Sequence, residues 1–335
     1  MPSRSMLSSR SAVASAPPNI ALVKYWGKRD ESGNLPAADS VSICLDGPRT
    51  KVTMVPSDAD EVIWNSERLA EPLLPPYQRV LDALRRPPHR VRIGVTTSVP
   101  VAAGLAGSAA VMAALAVAAA DYFEVALGDP ALSALARCGS GSAARSVPAG
   151  FAYWHRGALA DGSDSFATSI AGPEHWPELR LVALFLDRER KLVSSTVGMR
   201  RTAATSPLYR RWVEACNEAA PRMRDYILAR DFAALAAATR EQAMHMHATC
   251  LTTQPPILYL SRRAVALLET LDTALPTDSW SATFDAGTNP IFLTLSQHLP
   301  DLVAALEELA PGIERLVARP GKGAALEAGQ PGDTP

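Results

Sequence analysis

Three charged residues, far apart in the chain, stand where a charge is costly without a partner. Lys24 lies between apolar residues of a strand-like segment, so either its ammonium group reaches water or it faces an anion in a cleft. Arg145 ends a Gly-Ser-Gly-Ser-Ala-Ala run. There its guanidinium group either binds a carboxylate or phosphate, with Ser140 and Ser142 as further donors, or it is a solvated side chain beside a capping loop. Asp285, in Thr-Phe-Asp-Ala-Gly, is either a turn residue or a buried base controlled by a neighbouring cation.

A loop of small residues could bind phosphate. Residues 99–110 read V-P-V-A-A-G-L-A-G-S-A-A, after a strand-like segment that begins at Arg90 and before an apolar, helix-like run. Gly104 and Gly107 leave room for the backbone to curl around an anion, Ser108 adds a hydroxyl donor, and the helix dipole favours negative charge there. The loop is therefore either a triphosphate cradle or a means of close helix packing, because it lacks the lysine of a Walker motif.

Other polar residues near these positions have less specific interpretations. Tyr25 and Lys28 follow Lys24 on a turn and could surround a phosphate with it. His245 and His247 point apart on a helix, so we interpret both as structural or cleft-lining and predict no metal site.

Composition excludes several classes of protein. The 335 residues carry 33 basic and 34 acidic side chains, a net charge of −1, which gives no electrostatic footprint for nucleic acid or an anionic membrane. We expect no membrane span and no secretory signal. The four cysteines are widely spaced, which favours reduced thiols in the cytoplasm. The Ser-rich residues 1–16 are interpreted as a disordered tail, with an organelle transit peptide as the alternative.

The elements that must position these residues alternate between strand and helix patterns. Strands are predicted over residues 19–25, 40–45, 51–55, from Arg90, from Phe151, over 179–186 and on both sides of Asp285, and helices over 78–86, 109–120, 131–138, 206–248 with a break at Pro221, 261–273 and 302–309. The pattern predicts an α+β protein whose two halves share one cleft.

Several of these motifs, taken together and in order, resemble the diphosphomevalonate decarboxylases of the GHMP kinase superfamily. The resemblance extends from about residue 16 to about residue 323. Its motifs are N-I-A-L-V-K-Y-W-G-K-R-D from Asn19, the loop 100–110, G-S-G-S-A-A-R-S from Gly139, K-L-V-S-S-T-V-G-M from Lys191, H-A-T-C-L from His247 with Pro255 and Pro256, and F-D-A-G-T-N from Phe284.

The resemblance implies a two-lobed GHMP kinase fold. Residues 17–190 would form an N-terminal lobe like ribosomal protein S5 domain 2, with the phosphate loop, and residues 191–323 a ferredoxin-like α/β lobe. Residues 1–16 and 324–335 would be loose tails. The sequence does not determine the oligomeric state, and a homodimer is common in similar enzymes.

The resemblance also implies an activity. With ATP and Mg²⁺, mevalonate 5-diphosphate would become isopentenyl diphosphate, ADP, phosphate and CO2. Asp285 would orient or deprotonate the C3 hydroxyl, Lys24 would keep Asp285 ionised, and Arg145 would hold the substrate carboxylate. The ATP phosphates would be bound by Ala102, Ala103, Gly104, Leu105, Ala106, Gly107 and Ser108, and the substrate diphosphate by Tyr25, Lys28, Ser140, Gly141 and Ser142.

The sequence departs from the family pattern at two places, and these keep alternatives open. Residues 38–42 read A-D-S-V-S where the family usually has N-S-S-I-S, and Gly107-Ser108 replaces Ser-Ser. Asp39 would repel a diphosphate unless a cation compensates, which makes mevalonate 5-phosphate, giving isopentenyl phosphate, the leading alternative substrate. A GHMP small-molecule kinase without decarboxylation is the second alternative, and a non-catalytic ATP-binding protein is disfavoured because all three charged residues are present.

Overall fold

The chain folds as an α+β protein in a computed structural model that describes residues 10–69, 74–85, 89–99, 107–187 and 192–328. The strands of these residues are β1 (Ala12–Ala16), β2 (Asn19–Val23), β3 (Lys28–Asp30), β4 (Leu35–Pro36), β5 (Ser40–Cys44), β6 (Thr50–Pro56), β7 (Glu61–Trp64), β8 (Glu67–Arg68), β9 (Val91–Thr97), β10 (Phe151–Trp154), β11 (Ala167–Ala171), β12 (Leu179–Leu184), β13 (Trp280–Thr283), β14 (Ile291–Leu295), β15 (Arg315–Ala318) and β16 (Ala325–Leu326). The helices are α1 (Pro75–Leu84), α2 (Gly107–Tyr122), α3 (Asp129–Gly139), α4 (Ser195–Thr205), α5 (Tyr209–Ala229), α6 (Phe232–Leu251), α7 (Arg262–Ala274) and α8 (Leu299–Leu309), with 3-10 helices at Gly141–Ser146 and Pro173–His175. The predicted α+β class is confirmed.

The first sheet has the strand order β16-β1-β6-β9-β7-β8. Its pairs are antiparallel except β7 with β9, which run parallel. Helices α1, α2 and α3 share a core with this sheet. Helix α2 is apolar on every side and almost wholly buried, and its alanines let it lie close against β1 and β6.

The second and third sheets enclose a common core. Their strand orders are β11-β10-β5-β2 and β13-β14-β12-β15, both antiparallel. One cluster joins Ile20 and Val41 of the second sheet to Leu181 of the third, with Trp212 of α5 and Leu235 of α6 packed between them. Helices α7 and α8 pack on the other face of the third sheet. The first and second sheets therefore belong to the N-terminal lobe and the third sheet to the C-terminal lobe, and the common core packs continuously between the two lobes.

The structure corrects the predicted boundaries of the lobes. Residues 12–16, expected in a disordered tail, form the buried strand β1 between β6 and β16. Strand β12, placed by the sequence in the lobe 17–190, belongs to the third sheet, where it pairs with β14 and β15. Residues 325–326, expected in a loose tail, form β16 of the first sheet. Strand pairing with distant partners explains all three differences, because a local pattern does not record it.

One predicted helix is two helices. Pro221 was the expected break in residues 206–248, yet it lies inside α5. The chain turns instead at Arg230, whose φ of 54° is left-handed and ends α5 before Asp231 caps α6. Among the described residues, no helix combines the length and the apolar character that crossing a membrane would require. All four cysteines are free thiols.

Candidate active site

The phosphate loop of the sequence analysis ends at the first turn of α2. Ala102, Ala103, Gly104, Leu105 and Ala106 lie outside the described residues, whereas Gly107 and Ser108 begin the helix. Ser108 is exposed, and a Cβ added at Gly107 would meet nothing within 4 Å. The first described turn of α2 therefore presents an exposed hydroxyl and open space beside Gly107. The body of α2 fits the alternative interpretation too, since its small residues pack closely against the sheet.

Lys24 and Asp285 form an ion pair between the two lobes. Lys24 follows β2 of the second sheet, and Asp285 follows β13 of the third. Lys24 Nζ donates a hydrogen bond to Asp285 Oδ1 at 2.8 Å. The lysine side chain is 1% exposed and the aspartate side chain 29% exposed, so the carboxylate is the partner that a ligand can reach. Of the alternatives for Lys24, the structure supports the one in which it faces an anion.

The electrostatics of this pair include Arg145. Burial lowers the pKa of Lys24, Asp285 opposes this effect, and the positive charge of Arg145 adds to it. Burial lowers the pKa of Arg145 to about 10, again opposed by Asp285. The negative charge of Asp285 raises the pKa of both bases and so favours their cationic forms. Two cations and one anion therefore share a desolvated site.

Arg145 is held by residues that the sequence analysis did not assign to the site. It lies on the 3-10 helix Gly141–Ser146 and is 4% exposed. Its Nε donates to Asn19 Oδ1 at 3.1 Å, one terminal nitrogen donates to Ser40 Oγ at 2.8 Å, and its guanidinium carbon lies 5.7 Å from the ring centroid of Trp154. Asn19 also donates to the carbonyl of Ser142 at 3.0 Å, which ties the 3-10 helix to β2. A polar Asn at the start of an apolar strand was the signal available in the sequence.

Tyr25 lies against the Ser140–Ser142 segment. Its ring packs 4.8 Å from that of Trp154, and its buried hydroxyl has no hydrogen-bond partner among the described residues. A Cβ at Gly141 would overlap this hydroxyl, so the glycine permits the close approach. The hydroxyls of Ser140 and Ser142 make no hydrogen bond within the described part of the chain, and both residues are partly exposed. Tyr25 and this segment therefore supply hydroxyls without partners among the described residues, groups that could donate to a phosphate.

Lys28 is nearly buried, with its side chain 7% exposed. Its Nζ donates to Glu31 Oε2 at 2.9 Å, so its charge is already paired. The two residues belong to the hairpin formed by β3 and β4, which follows Tyr25 in the chain.

Asp39 is the predicted site residue whose carboxylate has other partners. Oδ2 accepts the hydroxyl proton of Tyr153 at 2.7 Å, and Oδ1 accepts the backbone N–H of Arg156 at 2.7 Å. Side chains alternate along a strand, which places Asp39 with Val41 on one face and Ser40, the partner of Arg145, on the other. The carboxylate of Asp39 is thus hydrogen-bonded locally, on the face away from Arg145. Its expected contact with substrate stays a prediction that this geometry does not favour.

His247 is buried on α6 beside the ion pair. It is 2% exposed, its ring lies edge-on to that of Phe284, with centroids 5.9 Å apart, and its Nε2 has no partner among the described residues. Burial lowers its pKa to about 3, with the charge of Lys24 adding to the effect and that of Asp285 opposing it. His245 is half exposed and near Glu241. No group of three His, Cys, Asp or Glu side chains within the described ranges could hold a metal ion.

The two-lobed α+β fold, with the ion pair of Lys24 and Asp285 between its lobes, is that of the GHMP kinase superfamily. Residues 16–167 match the diphosphomevalonate decarboxylase-like N-terminal domain, and residues 181–325 match the mevalonate 5-diphosphate decarboxylase C-terminal domain. The chain belongs to the diphosphomevalonate decarboxylase family.

Individual relatives agree along almost the whole chain. The chain is 38% identical over 316 residues to diphosphomevalonate decarboxylase of Homo sapiens, a match that covers 87% of this chain and 78% of the human protein. Identity to the Candida albicans enzyme is 39% over 303 residues, covering 84% and 83% of the two chains. Mevalonate diphosphate decarboxylase of Staphylococcus aureus superimposes with a TM-score of 0.87 at 29% identity, covering 95% of this chain and 98% of that one. A solved complex of MDDEF with MVAPP, AMPPCP and magnesium gives a TM-score of 0.87 at 32% identity, with the same coverage.

Proposed function

We propose that this chain catalyses the ATP-dependent decarboxylation of mevalonate 5-diphosphate to isopentenyl diphosphate, ADP, phosphate and CO2. The observation that carries the proposal is the 2.8 Å pair between Lys24 and Asp285, contributed by different lobes, with Arg145 buried in the same electrostatic cluster. Membership of the decarboxylase family supports the reaction and its substrate.

Asp285 is proposed to act on the C3 hydroxyl of the substrate. A tertiary hydroxyl is a poor leaving group, so it must first become a phosphate ester, and its proton needs an acceptor as it attacks. Lys24 engages Oδ1, whereas Oδ2 accepts no hydrogen bond from the described residues. Oδ2 is therefore available to orient the hydroxyl and take its proton. Lys24 holds the carboxylate in place through its hydrogen bond to Oδ1.

Arg145 is proposed to hold the carboxylate that leaves as CO2. Its Nε and one terminal nitrogen are bound by Asn19 and Ser40, and its second terminal nitrogen makes no hydrogen bond within the described residues. Asn19 and Ser40 thus orient the guanidinium, and its second terminal nitrogen is left as a donor for the substrate. Departure of the C3 phosphate builds positive charge at C3, and loss of CO2 quenches this charge by forming the alkene. The negative charge of Asp285 stabilises the same cationic centre.

The start of α2 fits the phosphates of ATP. The hydroxyl of Ser108 is exposed and the space at Gly107 is open, and the N–H groups in the first turn of a helix favour an anion. Carboxylates of the described chain do not gather into a metal cage, so Mg²⁺ would be held largely by phosphate oxygens, as is usual for this ion. Bound there, Mg²⁺ neutralises phosphate charge.

The diphosphate of the substrate is proposed to bind at the opposite end of the cleft. Tyr25, Ser140 and Ser142 supply hydroxyls without partners, and Lys28 supplies a cation. The case for mevalonate 5-phosphate depended on repulsion by Asp39, whose carboxylate is hydrogen-bonded to Tyr153 and the amide of Arg156 on the face away from Arg145. The diphosphate therefore stays the preferred substrate.

One assay tests the proposal and its alternatives together. Purified chain is supplied with ATP and Mg²⁺ and with mevalonate, its 5-phosphate or its 5-diphosphate, while CO2 and ADP are measured. We expect equal release of both, with the highest kcat/KM for the diphosphate. ADP without CO2 would identify a kinase, and a preference for the monophosphate would establish the alternative substrate.

Two further expectations from the sequence stay predictions. The homodimer common in similar enzymes is one, and light scattering during gel filtration measures the oligomeric state directly. A cytoplasmic location is expected from the thiols and the composition, and fractionation of the source cells tests it.

A further inference from the structure

The hairpin of β3 and β4 carries an ion pair with an unusual asymmetry of exposure. The Lys28 side chain is 7% exposed, whereas the Glu31 side chain that neutralises it is 50% exposed. Their atoms Nζ and Oε2 lie 2.9 Å apart. A nearly buried ammonium group needs a negative partner, and here the partner comes from the solvent side. A soluble anion could therefore take its place.

The backbone of this hairpin is fixed independently of the ion pair. Asn34 donates hydrogen bonds to the carbonyls of Arg137 at 2.9 Å and Cys138 at 3.0 Å, and the guanidinium of Arg137 donates to the carbonyl of Gly33. These contacts tie the turn to the end of α3, directly before the Ser140–Ser142 segment. The Glu31 side chain can therefore change partners while the backbone stays in place.

Glu31 also lies close to the unpartnered groups of the cleft. Its charge contributes to the raised pKa of the buried Tyr25 phenol, after the larger effect of burial. The hydroxyl of Tyr25 contacts the position of Gly141. The carboxylate of Glu31 and the proposed diphosphate site are therefore within electrostatic reach of each other.

A second cation lies near the Glu31 carboxylate, on the side that faces away from Lys28. Arg200 of α4 places its Nε 3.9 Å from Glu31 Oε1, and its side chain is 68% exposed. Glu31 thus lies between an inner cation at 2.9 Å and an outer cation at 3.9 Å.

We infer that Glu31 is an internal competitor for the phosphate site: it occupies Lys28 in the free protein and moves to Arg200 when a phosphorylated ligand binds. The inference rests on the proposed function, because it takes Lys28 to be a phosphate ligand. Its consequence is that Glu31 sets the affinity for substrate and product without touching the reacting atoms. Freeing Lys28 consumes part of the binding energy, so phosphorylated ligands bind more weakly and leave faster than the site would otherwise allow.

Displacement makes a different prediction from simple repulsion by a fixed carboxylate. The free energy needed to move Glu31 is the same for every ligand that takes its place, so removing Glu31 tightens all such ligands by one factor. A fixed carboxylate would instead repel a diphosphate more than a monophosphate. The ratio of the two affinities therefore separates the mechanisms.

The variant Glu31→Gln tests this difference. Calorimetric titration, without nucleotide, measures the Kd values of mevalonate 5-diphosphate and mevalonate 5-phosphate. Both Kd values should fall by about fivefold, the effect of removing one half-exposed ion pair. The inhibition constant of isopentenyl diphosphate should fall by the same factor. Glu214→Gln is the control, since Glu214 pairs with Arg211 at the same i, i+3 spacing on α5 and should leave all three constants unchanged.

A double-mutant cycle tests the outer position. Arg200→Gln removes the second partner, so Glu31 stays on Lys28 and the Kd of mevalonate 5-diphosphate should rise by about two- to threefold. In the Glu31→Gln background the same substitution should have no effect, because the carboxylate that it acts through is gone. An equal loss in both backgrounds would mean that Arg200 binds phosphate itself, and it would overturn the exchange.

Other results would also overturn the inference. Unchanged or weaker binding in Glu31→Gln would mean that Glu31 does not compete or that it only holds Lys28 in place. Tightening confined to the diphosphate would establish repulsion without displacement. The proposed function fails separately: CO2 release by the unmodified chain with unchanged binding in the variant refutes Glu31 alone, whereas tighter binding without CO2 release refutes the reaction alone.

Discussion

Replacing Asp285 with asparagine keeps the size of the side chain and removes the negative charge on which the site depends. Lys24 is 1% exposed and bonded to Asp285 at 2.8 Å. The charge of Arg145 already adds to the lowering of the Lys24 pKa. Without the carboxylate nothing opposes the lowering of the Lys24 pKa by burial, so this pKa should fall further, and the general base disappears at the same time.

The size of the effect differs for catalysis and for stability. Loss of a positioned base costs about 10²- to 10⁴-fold in rate, and loss of charge complementarity adds to it, so CO2 release should fall by at least about 1000-fold. Removing one partner of a fully buried pair costs about 3–5 kcal/mol. Asp285 is 29% exposed, and screening reduces this cost to about 1–2 kcal/mol. The variant should therefore fold and bind ATP within about twofold of the unmodified chain.

Single-turnover release of CO2, urea unfolding and nucleotide titration measure the three quantities on one preparation. Asp272→Asn is a matched control: Asp272 is 36% exposed and pairs with Arg240 on the surface of α6 and α7, so its loss should leave the rate of CO2 release unchanged. Near-normal turnover in Asp285→Asn would remove Asp285 from the mechanism. A collapse of folding together with activity would mean that the pair is structural.

Three further substitutions probe the surroundings of this pair. His247 has a folded-state pKa of about 3 against about 6.5 when unfolded. Between these two pKa values the unfolded chain binds more protons than the folded chain, so the free energy of unfolding should fall with decreasing pH by up to about 1.4 kcal/mol per pH unit. In acid titrations His247→Gln should flatten this dependence. The variant His245→Gln, at an exposed histidine, should not. Arg145→Lys keeps the charge but loses the two hydrogen bonds that orient it, so kcat/KM should fall by about 10- to 100-fold, and a smaller change would mean that only the charge matters. Gly141→Ala places a methyl group against the buried Tyr25 hydroxyl, so urea unfolding should show a loss of about 1–3 kcal/mol, and no loss would show that the ring can move aside.

Local sequence patterns predicted elements well wherever an element has its own periodicity. The β-branched segments 40–45 and 51–55 form β5 and β6, and the Ala-rich run 109–120 forms the body of α2. Strand β1 was missed because its small residues follow a Ser-rich segment, and only its partners β6 and β16 make it a strand. The turn at Arg230 was missed because a proline is a stronger local signal than a left-handed arginine.

The residues of the candidate site likewise separate into those that the sequence identified and those that it missed. Charges isolated among apolar residues identified Lys24, Arg145 and Asp285 individually, because burial of an unpaired charge is costly. Which of them meet depends on contacts between residues up to 261 positions apart, and no local pattern records these. Asn19 and Ser40 were missed for a related reason, since their role exists only once Arg145 lies between them.

The return of the chain to its first sheet has a practical consequence. Beyond the last strand of the third sheet, Leu45 and Pro320 form a bridge, Gly321 exchanges backbone hydrogen bonds with Cys44 and Gly150, and β16 pairs with β1. The first lobe is thus completed by residues that are synthesised after the second, and no single cut divides the molecule into two self-sufficient pieces. A ribosome must finish both halves before either has its full set of strand partners.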